Sequence, residues 1–490
     1  MNITLQTQTP PTGDLIIPVV QTDLTSQLTD LSQKLTLPLP TLQRDFKADA
    51  KEVVTVYKAD GFKTYLLGVG PNPKAMDWLR TFRKFFFDQK GKLSAQVTID
   101  LSQVEGDVVE SVVLGVRWGG YDLKLYQTDK PDTPVFFSDA GQLSLLVSPR
   151  TEAVAQEAFI RAEAIAQTQR QMLDLMNAPA NYKQPQTLAD WAMNSGKQHG
   201  YSVTVLDKTE LERQKLGALL SVSQGSDVPP VLIITDYKPA DATNVLTVGL
   251  VGKGVTFDTG GVSIKTSSNM HLMKSDMGGA AAVLGTVEIA AKLKLPIHVV
   301  GIVPATENAI DGRSTKPGDV ITSYLGKTIE IIDTDAEGRV ILADGLGYMV
   351  RHYSPDILID LATLTGSVIA ALGYHAAGLF TANDALANKL TEAANQTGEH
   401  LWRLPIWDAY TEDIKSDVAD VKNFSGKPVA GAISAAKFLE VFTENHPAWA
   451  HLDIAGMAFT DTEFGSQKNA TGFGIRLLTS YLQALIAESR

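Results

Sequence analysis

The residues best equipped for chemistry lie between Val251 and Ala282, in the run VGKGVTFDTGGVSIKTSSNMHLMKSDMGGAAA. Three lysines, two aspartates and six glycines share this segment. Lys253 and Asp258 flank Gly254, Thr259-Gly260-Gly261 follows, then Lys265, and Asp276 stands directly before Met277-Gly278-Gly279. Glycine at this density marks backbone that adopts positive φ or admits a close neighbour. The charged side chains between the glycines point to an ion or a charged substrate as that neighbour.

Two further polar clusters extend the pattern. Asp333-Thr334-Asp335-Ala336-Glu337-Gly338-Arg339 follows the apolar segment Thr328–Ile332, and Thr363-Leu364-Thr365-Gly366-Ser367 follows an apolar run from Ile357. In open α/β sheets ligands sit beyond the carboxyl ends of strands, so three adjacent strand ends are expected to gather these clusters at one rim. Asp258, Asp276, Asp335 and Glu337 then converge. Four carboxylates in a pocket of low dielectric repel and raise one another's pKa. Dications relieve that repulsion, and an oxygen-rich set suits Mg, Mn or Zn. Two such ions about 3.5–4 Å apart, bridged by carboxylates and activating a water, form a common hydrolytic arrangement.

A single Asp of this kind is more often a helix cap or a solvated loop charge, so it is the constellation that argues for metal. None of the eight histidines has metal-ligand spacing, and His271 reads as a neighbouring or surface residue. Lys253 fits either a salt-bridge partner or a buried amine that loses its proton beside dications and ligates them. A phosphate-binding loop is a competing reading of Gly249-Leu250-Val251-Gly252-Lys253-Gly254. It fails, because only two residues separate the glycines and Gly254 stands where Ser or Thr is required.

A chain of 490 residues implies two or more domains. Its net charge of -12 argues against broad binding of nucleic acid or anionic membrane. The absence of cysteine excludes disulfides, thiolate nucleophiles and Cys-ligated structural zinc. There is no basic-then-apolar leader and no run of about 18 apolar residues, so neither a signal peptide nor a membrane span is expected. A soluble, cytoplasmic protein is the expectation.

The elements that must position the charged clusters follow from periodicity. Leu15–Ile17, Val53–Tyr57, Thr64–Gly70 and Ala95–Ile99 read as strands, and Pro73–Phe87 as a helix whose Trp78 and Phe85-Phe86-Phe87 form a buried face rather than a binding surface. Residues 1–149 are therefore expected to form a smaller α/β domain without ionisable clusters. Arg150–Met176, without Gly or Pro, reads as one long helix, and residues 150–183 as a link ended by Asn177-Ala178-Pro179. Beyond it, Val231–Thr235, Val245–Val251, Ile297–Val303 and Ile357–Leu361 are near-continuous apolar runs, the mark of strands covered on both faces. Helices are expected at Ala280–Leu293, Gly338–His352 and Ala432–Phe442. Residues 184–490 then form a larger catalytic domain, a mixed, mostly parallel sheet between helix layers. The fold class is α/β with two domains.

The region from Asn177 onward closely resembles the leucyl aminopeptidase family, the two-metal cytosol aminopeptidases. The resemblance rests on NAPANY from Asn177, VGKGVTFDTGG from Val251, MKSDMGGAAAV from Met273, TENAIDGRSTKPGDV from Thr306 and DTDAEGRVILAD from Asp333. DLATLTG from Asp360, SDVADVKN from Ser416 and HLDIAGMAF from His451 continue it. The N-terminal region matches only by position and class.

The resemblance implies that Lys253, Asp258, Asp276 and Glu337 hold one divalent ion. Asp258, Asp335 and Glu337 would hold the other, Asp335 also through its backbone carbonyl, with Asp258 and Glu337 bridging. Mn or Zn is the expected metal, with Mg also compatible. Lys265 would polarise the scissile carbonyl, and Arg339 would hold a bicarbonate ion acting as general base. Met273, Thr363, Gly366, Ala455 and Met457 are the candidates for an apolar pocket that receives the N-terminal side chain, leucine-like by preference. Peptides with a free N-terminus are the implied substrates and a homohexamer the implied assembly. A non-catalytic, DNA-binding hexamer on a dead peptidase fold is the competing class, disfavoured by the intact constellation and the acidic charge. Two residues depart from the usual family pattern, Asp333 where Asn is common and Gly345 where Ala is common. The first adds negative charge near the metals, and the second weakens a helix slightly.

Overall fold

The protein is described by a computed structural model over residues 1–8, 13–129, 132–240 and 245–488. It divides into two compact units, Met1–Arg170 and Gln171–Arg490. The division falls inside the long helix Glu152–Asn177, in the segment read as a link.

In the first unit, strands β1 (Asn2–Gln6), β2 (Asp14–Val20), β3 (Val53–Tyr57), β4 (Lys63–Gly70), β5 (Gln96–Leu101) and β6 (Gln142–Val147) form one sheet in the order β1-β6-β5-β2-β4-β3. All neighbours run parallel except the β3–β4 pair. The aromatic helix spans Ala75–Gln89 and buries Trp78, Phe82, Phe85 and Phe86. Phe86 stacks on Phe136 at a ring separation of 5.4 Å, so this face is core.

The second unit is built on strands β7 (Ser202–Leu206), β8 (Val231–Tyr237), β9 (Thr247–Gly252), β10 (Gly254–Asp258), β11 (His298–Asn308), β12 (Val320–Thr322), β13 (Thr328–Glu330), β14 (Ile357–Ala362), β15 (Ala377–Phe380), β16 (Leu401–Arg403), β17 (Val421–Lys422) and β18 (Trp449–Asp453). The large sheet runs β16-β15-β18-β14-β9-β11-β8-β7, with β10 added on β11. Its centre, β18-β14-β9-β11, is parallel, while β8 and β15 pair antiparallel. The sheet is mixed and mostly parallel, as its continuous apolar strands imply.

Alternation along β9 shows how both faces are covered, since successive side chains point to opposite sides. Val251 meets the helix Glu337–Tyr353: a Cβ added at Gly345 would lie 2.9 Å from Val251 Cγ1. Gly252, one residue on, meets the helix Gly278–Lys292: its added Cβ would lie 2.5 Å from the carbonyl oxygen of Gly279. Gly345, without a side chain, leaves Val251 room against the helix, which offsets its poorer helix propensity.

One expectation about the strand ends is corrected. β9 and β14 are neighbours in the large sheet, but β13, which precedes Asp333, is not part of it. β13 pairs with β12 and β17 in a separate three-stranded sheet. The segment Thr328–Ile332 is too short and too polar at Thr328 and Glu330 to be buried on both faces. The small sheet nevertheless delivers residues 333–339 to the rim, because the helix that starts at Glu337 packs on the large sheet.

Gly279 sits where this packing is tightest, with an added Cβ 2.0 Å from Leu361 O and 2.8 Å from Lys253 N. Gly279→Ala is expected to push the helix off the ends of β9 and β14. It should destabilise the protein by about 1–3 kcal/mol and lower activity with it. An unchanged urea midpoint in that variant would refute this packing account.

Candidate active site

The backbone breaks between β9 and β10 at Lys253. Its N–H donates to Leu361 O at 3.0 Å and its carbonyl accepts from Ala280 N at 2.9 Å, so it is tied to both β14 and the helix Gly278–Lys292. The chain then steps across to pair with the far end of β11, where Gly254 aligns with Ala305 and Asp258 with Asn308. That step places Lys253 and Asp258 on the rim, both buried.

Asp258 ends β10. Its Oδ1 accepts from Gly260 N and Asn308 Nδ2, both at 2.8 Å, and its Oδ2 lies 2.7 Å from Lys265 Nζ. The chain can return to Lys265 because Gly260 has φ +86 and Gly261 φ +63, a left-handed pair that an L side chain would strain. An added Cβ at Gly260 would also meet Asp335 Oδ1 at 2.9 Å. Thr334 pins this loop from the other side, its hydroxyl donating to Gly260 O at 2.7 Å and accepting from Ser263 N at 2.8 Å.

Asp276 closes a short 3-10 turn, Met270–Ser275, just before the helix Gly278–Lys292. Thr363 Oγ1 donates to its Oδ1 at 2.6 Å. The turn is anchored by Lys183, wholly buried, whose ammonium donates to Lys274 O, and by Lys274, whose ammonium donates to Asn177 O at 2.9 Å. Burial pulls the pKa of Lys183 down to about 7.

Glu337 and Arg339 occupy the first turn of the helix Glu337–Tyr353, where a negative side chain also suits the helix dipole. Asn423 organises the approach to it. Its Oδ1 accepts from Ile332 N at 2.8 Å, its Nδ2 donates to Asp333 O at 2.6 Å, and its carbonyl accepts from Arg339 Nη1 at 2.8 Å. Asp333 Oδ1 accepts from Asp335 N at 2.9 Å, an Asx turn that Asn would form equally well.

Lys253 Nζ lies 2.7 Å from Asp276 Oδ2 and 2.8 Å from Glu337 Oε1, and donates to Thr363 O at 2.9 Å. Lys265 Nζ bridges Asp258 and Asp335. Oxygens of Asp258, Asp335 and Glu337 lie within 4.8 Å of one another. All five predicted metal ligands and Lys265 are thus brought together, while His271 is exposed. Arg339 is buried behind Glu337, and its Nε has no hydrogen-bond partner.

Charge governs this assembly. The four carboxylates and two ammonium groups, -4 and +2, leave a formal -2 in buried surroundings. Burial, reinforced by Glu337 and Asp258, pushes Asp276 up to about 8. Burial, reinforced by Asp258 and Glu337, pushes Asp335 up to about 7. Glu337 is raised by burial and by Asp258. Burial alone would lower Lys253, but Asp276, Glu337 and Asp258 outweigh it and raise its pKa. The same contest, with Asp258, Glu337 and Asp335 prevailing, raises Lys265. Burial lowers Arg339 to about 10.

The donor set therefore fits divalent cations. It is rich in carboxylate oxygen, short of positive charge, and Asp276 Oδ2 and Glu337 Oε1 are buried without a hydrogen bond, held only in ion pairs with Lys253. Lys253 could join as a neutral amine only where a cation displaces its proton.

A cavity of about 460 Å³ opens onto these groups. Lys253, Asp258, Lys265, Asp276 and Asp335 line it, and so do Met273, Thr363, Gly366 and Ala455. Met457 is not among the lining residues, whereas Leu272, Ile369, Tyr374, Phe459 and Lys468 are. Of the residues that sequence reasoning left without a role, Asn308 and Asn423 lie inside motifs quoted for the resemblance. An amide next to a strand end was the available signal. Lys183 and Lys468 carried none, because nothing local marks a lysine as buried or as facing a cavity.

The raised carboxyl groups fix the sign of metal binding with pH. Below about 7–8 Asp335 and Asp276 hold protons that a cation must displace. Affinity for a divalent ion should therefore rise steeply between about pH 6 and 8 and level off above, with proton release seen by calorimetry in buffers of different ionisation heat. A flat affinity across that window would contradict this charge assignment.

Comparison with known proteins identifies the family. The catalytic-domain model of the cytosol aminopeptidase family matches residues 171–479. A probable cytosol aminopeptidase of Chlorobium luteolum is 44% identical over 461 residues, covering 90% of each chain. Among solved structures, a tomato leucine aminopeptidase mutant superposes with TM-score 0.87 at 30% identity, covering 99% of this chain and 96% of that one. The bottromycin maturation enzyme BotP in complex with Mn superposes with TM-score 0.84 at 31% identity, covering 97% of this chain and 100% of that one. By a domain match over most of its length and whole-length identity well above chance, this chain belongs to the cytosol aminopeptidase family.

Proposed function

We propose that this aminopeptidase uses two divalent metal ions to hydrolyse the first peptide bond of peptides with a free N-terminus, releasing apolar, leucine-like residues. The observation that carries the reading is the convergence of Asp258, Asp276, Asp335 and Glu337 with two lysines, all of which but the buried Glu337 line a cavity of about 460 Å³. Lys253, Asp258, Asp276, Asp335 and Glu337 would hold the metals, with Mn or Zn favoured and Mg compatible with the oxygen donors. When bound, the ions supply Lewis acidity and a water of lowered pKa. The similarity to BotP, which is described in complex with Mn, supports manganese.

The chain's own residues do the rest. Lys265 lines the cavity with its ammonium drawn between Asp258 and Asp335, and this positive charge would stabilise the oxygen that becomes negative as the peptide carbonyl is attacked. Arg339 offers a buried guanidinium with Nε unpartnered, a fork suited to a planar oxyanion such as bicarbonate. If bicarbonate is bound there, it would supply a general base, a role that no histidine among the described residues lining the cavity can fill. Met273, Thr363, Gly366 and Ala455, with Leu272, Ile369 and Phe459, would receive the N-terminal side chain. Among the described residues no helix is long and apolar enough to cross a membrane. A cytoplasmic location and a homohexameric assembly are inferred from the family resemblance, and the net charge of -12 speaks against nucleic acid as a partner.

Hydrolysis of a leucyl anilide should vanish on chelation and return with Mn or Zn, with two ions per chain by elemental analysis. One ion per chain in the fully active enzyme would exclude the two-metal reading. Lys265→Ala should lower kcat by about 100-fold or more with metal content unchanged. Full activity in that variant would remove its assigned role. Asp333→Asn should keep both the fold and activity, because the amide oxygen preserves the turn at Asp335. A shifted metal preference across Mn, Zn and Mg would instead show that the extra charge is felt at the site.

A further inference from the structure

Three lysines line the active-site cavity, and two of them are committed: Lys253 to Asp276 and Glu337, Lys265 to Asp258 and Asp335. Lys468 differs. Its ammonium sits 3.6 Å from the centre of the Tyr374 ring, and among the described residues no carboxylate stands within ion-pair distance of it and no acceptor takes its protons. A ring face attracts an ammonium only modestly at a half-exposed site and leaves its three N–H donors unused. Ile369, Ala455 and Phe459 line the same cavity, so a charge brought there is screened less than on an open surface.

We propose that Lys468 is a specificity residue that captures a carboxylate of the bound peptide, giving the enzyme a preference for negatively charged substrates beside its apolar one. The carboxylate has two possible sources, an acidic side chain on the N-terminal residue or the free C-terminus of a dipeptide. Either would form a charge-assisted hydrogen bond that the free enzyme lacks. Tyr374 holds the ammonium in place from beneath and lowers the entropy lost on capture. The inference rests on the aminopeptidase reading above.

Two substrate pairs separate the sources: glutamic acid α-amide against glutaminamide, and Leu-Gly against Leu-Gly-amide. The readout is the ratio of kcat/KM within each pair for the metal-loaded wild type, Lys468→Met and Lys468→Arg. This ratio is independent of the folded fraction and of changes common to both substrates. Lys468→Met should cut the preference for the charged member of at least one pair by about fivefold or more, Lys468→Arg should restore it, and added salt should shrink it. A fall confined to the first pair assigns the N-terminal side chain, and one confined to the second assigns the C-terminal carboxylate. Unchanged ratios in both pairs, with the wild type active on leucinamide, overturn the proposal. A metal-loaded wild type inactive on leucinamide defeats the aminopeptidase reading instead, and the proposal falls with it.

Discussion

Four carboxylates cannot share one buried rim unless positive charge stands between them, and the second unit of this protein is arranged around that requirement. Lys253 and Lys265 each sit between two acidic partners, so every acid of the site touches an ammonium. The compensation is incomplete. It leaves Asp276 and Asp335 with pKa values near neutrality, a state that desolvation and like-charge crowding produce together. Groups perturbed in this way by a named partner and by burial are the usual mark of a reactive or metal-binding site.

The backbone meets this demand through close approach rather than through special side chains. Gly252 and Gly279 let a helix terminus touch the ends of two parallel strands, which fixes Lys253 and brings Asp276 beside it. The left-handed turn at Gly260 and Gly261 folds Lys265 back over Asp258. Asn308, Thr334 and Asn423 then lock three separate loops by donating to or accepting from backbone and carboxylate groups. Each of these polar groups is buried and paired, which is the condition for a polar network to stiffen a site rather than weaken it.

The cavity outside the charged cluster has a different character. Leu272, Met273, Ile369 and Phe459 give its walls apolar stretches, and Lys468 over Tyr374 is its remaining uncommitted cation among the described residues. A pocket that combines apolar walls with one placed charge discriminates among ligands more sharply than apolar area alone can.

Read as sequence, the chain already determined its residue types and their local order. Continuous apolar runs marked the buried parallel strands, a helix from Ala280 was expected between two of them, and the charged motifs that supply the site were visible as they stand. These signals are local, carried by periodicity and by glycine placement. Tertiary structure decided what local pattern does not encode. The segment Thr328–Ile332 joined a small separate sheet, because three residues of ladder cannot specify which edge they pair with. Lys265 meets Asp335 across 70 residues of chain, and Asn423 meets Asp333 across 90. Lys183 is buried and Lys468 faces the cavity through contacts of the same long-range kind. A lysine's neighbours in sequence say nothing of its neighbours in space, and it is the latter that set its charge, its partners and its use.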